Sequence, residues 1–286
     1  MRQKGFIREA IKSDILIINN FLKQQIVIHR HLDWRQPTEW LGKQPFLLYL
    51  SPNNSIEAIL ICIPEPKNIF WIRLFAYSNP LHKVSYWESL FTVGLKIITS
   101  QSPENTTIAS LAYQKWMKDL LESEGWIEKQ RVIQLKWNSR RKSRSLLKKS
   151  TSSFIRKMVN NDISEVAKID RACFNPLWQH SREAIEHAHS QSVYSTVFEK
   201  DHSICGFQIS THDNGKAHLA RLAVLPIYQK QHIGEQLVLD MLHHITKRGI
   251  KDISVNTQQD NHSSIGLYNK LNFKKTGDSF PIYIYN

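Results

Sequence analysis

Residues Arg221 to Val238, RLAVLPIYQKQHIGEQLV, begin as an apolar strand and end as an amphipathic helix, with a polar join between a proline and a glycine. Pro226 has no backbone N–H to pair, so the strand ends near Leu225. Leu237, Val238, Met241, Leu242 and Ile245 share one face of a helix that the spacing predicts over Gly234 to Arg248, stopped by Gly249. The first turn of a helix has N–H groups without intrahelical acceptors, and the helix dipole makes that end positive. The join therefore reads as a site for a phosphate or diphosphate, with Lys230 and His232 as nearby donors and Gly234 leaving the main chain open to a ligand.

Working outward, a strand at Phe154–Lys157 is followed by a helix over Ile163–Cys173, with Asn161 or Asp162 as its N-cap. A second helical stretch follows at Ser181–Ser190. The runs SVYSTVFEK and SICGFQIS read as adjacent strands around a turn at Asp201–Ser203, and AHLARLAV as the strand before the join. DISVNT is the next strand, Ser263–Leu271 a helix and FPIYIY a final strand. This order predicts an α+β domain, a mostly antiparallel mixed sheet flanked by helices.

The chain repeats itself. FIREAIKSDI (Phe6–Ile15) and FIRKMVNNDI (Phe154–Ile163) share Phe, Ile, Arg, Asp and Ile at an offset of 148, and the Arg-Leu pairs of WIRLFAY (Trp71–Tyr77) and LARLAVL (Leu219–Leu225) keep that offset. LLESEGW (Leu120–Trp126) and LYNKLNF (Leu267–Phe273) match at 147. One offset over the whole chain predicts two copies of one fold, at 1–137 and 154–286. Of the net charge of +13, residues 138–153 carry +6, against +5 for 1–137 and +2 for 154–286. That segment, NSRRKSRSLLKKSTSS, contains no aromatic residue to stack on bases, so it reads as a solvated linker; an electrostatic arm for nucleic acid is the less favoured alternative.

At 286 residues and 41% hydrophobic composition, each copy can bury a core. Trp34, Trp40, Phe70, Trp71 and Trp87 supply that of the first, or line a groove in it. Cys62, Cys173 and Cys205 are odd in number and lack CxxC spacing, which argues against a disulfide framework and a zinc site. The terminus MRQKGFIREA has no signal-peptide core and no run is long enough to span a bilayer. A cytoplasmic protein without metal or membrane partner is expected.

The segment PIYQKQHIGEQL resembles the acetyl-CoA loop of the GNAT acetyltransferases, Gln229 and Gly234 matching its ends. VNTQQDNHSSIGLYNKLNF is similar to the family's later segment, with Asn261, Tyr268 and Phe273 at the patterned positions. The resemblance covers Phe154–Asn286 and implies a tandem GNAT protein. It implies direct acetyl transfer from acetyl-CoA to an amine of a small molecule or peptide. The strand backbone at Leu222, Ala223 and Val224 would pair with the pantetheine arm. The amides of Gln229, Lys230, Gln231, His232, Ile233 and Gly234 would hold the pyrophosphate, Asn261 would bond the pantetheine amides, and Tyr268 would protonate the departing thiolate.

Two residues depart from that pattern. His232 stands where the first loop glycine usually sits, and Asn272 replaces the glycine of the later turn; both residue types tolerate the left-handed region better than branched ones. In the first copy Leu81 stands at the position of Gln229, Tyr86 at Gly234 and Leu121 at Tyr268. That copy is expected not to bind acetyl-CoA, and to serve as a packing partner, a wall of the acceptor site or a homodimer surface. The base for the amine is open among His218, Asp170, His180, Glu183 and a water chain, and Phe174, Trp178, Tyr283 and Tyr285 are expected around the acceptor. A non-catalytic acyl-CoA sensor is the alternative function.

Overall fold

The computed structural model describes residues 5–24, 27–101, 106–139 and 153–285. The basic run, Arg140 to Lys149, lies outside the described residues. The chain divides into two compact units, Met1–Lys129 with Pro281–Asn286, and Gln130–Phe280.

The first unit orders its strands β1 (Phe6–Glu9), β3 (Phe46–Leu50), β4 (Ile56–Pro64), β5 (Ile69–Tyr77) and β6 (Thr107–Leu111), with β2 (Val27–Arg30) also pairing β5. Every residue of β5 is buried, as expected of a strand covered on both faces. Helix α1 (Ile15–Lys23) sends Ile18 and Phe21 into one core with Trp40, Leu48, Ile61 and Leu74. Helices α2 (Lys83–Gln101) and α3 (Lys115–Ser123) cover the other face with Trp87, Leu90, Met117 and Leu121 against Phe70 and Phe75. Trp40, Phe70, Trp71 and Trp87 are thus core residues.

The second unit runs β7 (Ile127–Asn138, from Gln130 onward), β8 (Ile155–Lys157), α4 (Ile163–Cys173), α5 (Arg182–Ser190), β9 (Tyr194–Lys200), β10 (Ser203–Asp213), β11 (Lys216–Val224), α6 (Ile233–Lys247), β12 (Asp252–Gln258), α7 (His262–Lys270) and β13 (Lys274–Tyr285, to Phe280). Ser181 caps α5 by accepting from the Ala184 N–H at 3.1 Å. Asp162 does not cap α4 with its side chain; it accepts from the Val159 N–H at 2.8 Å and closes the turn before it. Helix α6 starts one residue before the expected Gly234, and Gly249 ends it with φ +84°.

The last strands are exchanged. In the second unit β12 pairs with β7, from Asp252↔Asn138 to Gln258↔Val132, and in the first β6 pairs with the end of β13, from Ile282↔Leu111 to Tyr285↔Ile108. Boundaries drawn at 137 and 154 along the sequence therefore differ from the compact units. Tyr283 and Tyr285 are corrected by the same exchange: Tyr283 is buried in the first unit's core, its hydroxyl 2.5 Å from Glu122 Oε1, and Tyr285 packs on Phe91 and Trp126. They do not belong with Phe174 and Trp178.

The offset of 148 is repeated atom for atom in one place. Arg8 grips Asp14 with two hydrogen bonds of 2.7 and 2.8 Å, and Arg156 grips Asp162 with two of 2.7 and 2.9 Å. Asp14 also accepts from the Ile11 N–H, as Asp162 does from Val159. The Arg8 hydrogen bond holds the Asp14 carboxyl below its usual value, and at Asp162 partial burial acts upward but Arg156 and the Val159 N–H outweigh it. A folded-state pKa below the unfolded one gives stability that is present above about pH 4 and is lost as pH falls through the lowered value. An Asp14→Asn, Asp162→Asn double variant is expected to lose about 1 kcal/mol per site at pH 7. In urea titrations it should also lose less stability than the parent between pH 5 and pH 3.

Candidate active site

Strands β11 and β12 are parallel and share three pairs, Ala217↔Ile253, His218↔Ser254 and Leu219↔Val255. Both then continue, β11 to Val224 and β12 to Gln258, without a further shared pair among the described residues. The parting begins at a bulge: Ile209 of β10 faces Arg221 while the next residue, Ser210, faces Leu219, which leaves Ala220 extra. A bulge bends its strand and sharpens the local twist. Leu222, Ala223 and Val224 remain paired to Gln208, Phe207 and Gly206 on one side, and their other edge faces the opening. Gly206 makes the close pairing feasible, because a Cβ there would lie 2.7 Å from the Ala223 carbonyl oxygen.

The loop beyond this edge is folded on itself. The Gln229 N–H donates to the Pro226 carbonyl at 3.2 Å and its side chain to the Val224 carbonyl at 3.0 Å. Lys230 and His232 both have φ of +60°, so the histidine takes the left-handed position that a glycine would occupy without a Cβ clash. His232 is the N-cap of α6 and makes no side-chain cap; the first helical bond runs from the Gln236 N–H to the His232 carbonyl at 3.0 Å. From Gln231 to Glu235, the main-chain N–H groups find no acceptor among the described residues. Gln229's N–H is thus spent inside the loop, and the open row is Gln231, His232, Ile233, Gly234 and Glu235.

Gly234 serves packing as well as access. A Cβ on it would lie 3.4 Å from Leu267 Cδ2 and 3.8 Å from Val224 Cγ2, so β11, α6 and α7 meet at this residue. Glu235 was not legible in the sequence. Its Oε2 accepts from Lys270 Nζ at 2.6 Å and lies 2.9 Å from His232 Nδ1. Burial alone would raise this carboxyl, but Lys270 and His232 hold it below its usual value. Lys270 therefore adds a cation to the helix start, from 35 residues further along the chain.

Tyr268 is 4% exposed, with its ring 5.5 Å from Phe273, and burial raises its phenol pKa, so the hydroxyl stays protonated. Asn272 has φ of +66°, and the Phe273 N–H after it returns to the Tyr268 carbonyl at 2.9 Å. Asn261 caps α7: its Oδ1 accepts from the Ser264 N–H at 3.0 Å, leaving the amide nitrogen as its donor.

Around the opening, Arg221 and Asp170 form a buried pair. Asp170 is 0% exposed and accepts from Arg221 Nε at 2.5 Å and from the His180 N–H at 2.8 Å. Arg221 also donates to the Trp178 carbonyl at 2.6 Å, and its guanidinium lies 3.4 Å from the centre of the Phe174 ring. The pair thereby fixes the α4–α5 loop. Trp178 Nε1 donates to Gln130 at 2.8 Å, and Gln130 donates to Asp260 at 3.0 Å. The sheet face opposite the second unit's core is amide-rich and half-exposed: Gln134 donates to Asn256 at 3.4 Å, and Ser254 and Gln258 alternate with buried Val255 and Thr257. His218 Nδ1 lies 2.9 Å from Ser254 Oγ, and burial pushes the ring down to about 4, neutral at pH 7. Among the described residues no group of three His, Cys, Asp or Glu could hold a metal ion, and no helix is long and apolar enough to cross a membrane.

Residues 163–273 match the model of the acetyltransferase (GNAT) family. Over 132 residues the chain is 26% identical to a Bacillus subtilis (strain 168) protein provisionally named a ribosomal protein bS18 alanine N-acetyltransferase, across 44% of this chain and 84% of that one. A solved tandem GNAT protein from the clavulanic acid biosynthesis pathway aligns with a TM-score of 0.65 at 10% identity, over 99% of this chain and 98% of its own. A GCN5-related N-acetyltransferase from Sphaerobacter thermophilus aligns with a TM-score of 0.60 at 13% identity, over 98% and 95%. These two likenesses concern the fold.

Proposed function

We propose that the second unit, whose residues 163–273 match the model of the acetyltransferase (GNAT) family, moves an acetyl group from acetyl-CoA directly to an amine, in the cytoplasm. The observation that carries this reading is the junction at Gly234. There, a strand edge without a neighbouring strand beyond Leu219, a helix start with five open N–H groups and the helix bearing Tyr268 converge. The edge at Leu222–Val224 suits the amides of a pantetheine arm, and the N–H groups of Gln231–Glu235 suit a diphosphate, with Lys270 beside them. The family's co-substrate carries the activated acetyl thioester.

The residues divide the work. Leu222 to Val224 align the arm by main-chain pairing, and Asn261 donates its amide nitrogen to it. The loop from Gln231 anchors the far end, so the reacting carbon is held rather than met by diffusion. Tyr268 keeps a proton on its hydroxyl and delivers it to the departing sulfur. The acceptor lies against Trp178 and the face of Gln134, Asn256 and Gln258, which offers amide donors and acceptors. Asp170 has both oxygens engaged, so the amine loses its proton through water along this face.

The Bacillus subtilis relative, named for an alanine of a ribosomal protein, favours a peptide amine as acceptor, and an amide-rich face fits a peptide backbone. A thiol-release assay with acetyl-CoA tests this, using short peptides with a free amino-terminal alanine beside a panel of small amines. Release with the peptides, and mass gain of one acetyl group on them, is the expected result. Release only with small amines would reassign the acceptor, and binding of acetyl-CoA without release would leave a sensor.

A further inference from the structure

The first unit repeats the parting strands of the second. Strands β5 and β6 share the pairs Ile69↔Thr107, Phe70↔Ile108 and Trp71↔Ala109. Adding 148 to the β5 residues gives Ala217, His218 and Leu219, the three β11 residues that pair with β12. Beyond Trp71, β5 runs on to Tyr77, and its residues Leu74 to Tyr77 correspond to Leu222 to Leu225. In the second unit no strand pairs that edge beyond Leu219 among the described residues, and the Val224 carbonyl accepts only from the side chains of Gln229 and Cys173; in the first unit a strand covers it.

Strand β2 covers it. Val27, Ile28, His29 and Arg30 pair antiparallel with Tyr77, Ala76, Phe75 and Leu74, and the His31 N–H continues the ladder to the Arg73 carbonyl at 2.9 Å. Gln114, which stands 147 residues before Asn261, donates its side-chain amide to the Ile28 carbonyl at 2.8 Å. His29 is 0% exposed, its ring 5.7 Å from Tyr113 and 6.5 Å from Trp116. Near the helix start, Tyr86 stands at the sequence counterpart of Gly234, and its ring is buried, with its hydroxyl 3.2 Å from Glu57 and its ring 5.0 Å from Tyr49. The strand edge and the side-chain amide that the second unit leaves for a ligand are met in the first by groups of the chain itself.

We propose that Val27–His31 is a built-in occupant of the first unit's groove, a peptide strand standing where a thioester's arm would lie, so that the chain takes one acyl-CoA, in its second unit. The part concerning the second unit rests on the functional reading above; the closure of the first stands on its own pairing. A strand that supplies main-chain partners to β5 leaves no edge for a diffusible ligand. Gln114 holds this strand by the carbonyl contact that Asn261 keeps available in the second unit.

Hydrogen exchange of the full-length protein, followed by mass spectrometry with and without acetyl-CoA, tests this. Without ligand, segments 27–31 and 71–77 should exchange at least tenfold more slowly than 219–225; acetyl-CoA should slow 219–225 and leave 71–77 unchanged. Gln114→Ala should speed exchange at 27–31 and 71–77 several-fold and leave 219–225 as it was. Equal rates at 71–77 and 219–225 without ligand, or slowing of 71–77 by acetyl-CoA, would overturn the proposal. Slowing at neither edge, with the unliganded contrast intact, would uphold closure of the first unit and sink the acyl-CoA reading of the second.

Discussion

Asp170→Ala is expected to cost the second unit about 3–5 kcal/mol. The carboxylate is fully buried and supplies the charge opposite Arg221, so its removal strands a guanidinium in the interior while the His180 N–H loses its acceptor. Coulomb attraction is not what makes the loss large. The cost lies in leaving a buried charge without a partner, since two apolar side chains of similar volume can replace such a pair at little expense. A double variant, Asp170→Leu with Arg221→Met, should therefore recover most of the stability in urea titrations. It should not recover an ordered α4–α5 loop, because the Trp178 carbonyl would still lack the Arg221 donor.

Tyr268→Phe carries the largest expected kinetic effect. On the proposed mechanism, the phenol protonates the leaving sulfur, and positioned acid catalysis contributes roughly 10²- to 10⁴-fold. The substitution removes one oxygen from a packed ring, so the fold and the affinity for acetyl-CoA should change little while kcat falls by that factor. Burial keeps the phenol protonated well above neutral pH, so the parent should show no loss of rate from this group between pH 7 and pH 9. A variant whose kcat matches the parent's across that range would move the acid role to another group.

Local chemistry made much of this legible in the sequence. Proline at 226, glycine at 249 and the apolar face of α6 are short-range signals, and α4 begins and ends at the residues its periodicity predicts, Ile163 and Cys173. The repeat was legible because Arg8–Asp14 and Arg156–Asp162 do the same local work in both copies. Long-range pairing was not. Nothing near Tyr283 announces that the strand leaves one unit for the other, since strand periodicity gives the face a residue takes and not the partner strand. Lys270 reaches Glu235, and Gln130 reaches Trp178, through the fold, so neither contact has a spacing to read. The role of β2 was hidden for the same reason: four residues of ordinary composition become an occupant only when β5 is beside them.

On the proposed function, the second unit's strand edge and helix start receive acetyl-CoA. Titration calorimetry of the full-length protein with acetyl-CoA tests it most directly. Binding at one site per chain is predicted, with a dissociation constant in the micromolar range or tighter, roughly −8 kcal/mol, weakened at least tenfold by Gly234→Tyr, the residue that the first copy carries at Tyr86. No binding heat at any temperature, or two equivalent sites per chain, or a Gly234→Tyr variant that binds as the parent does, would contradict it.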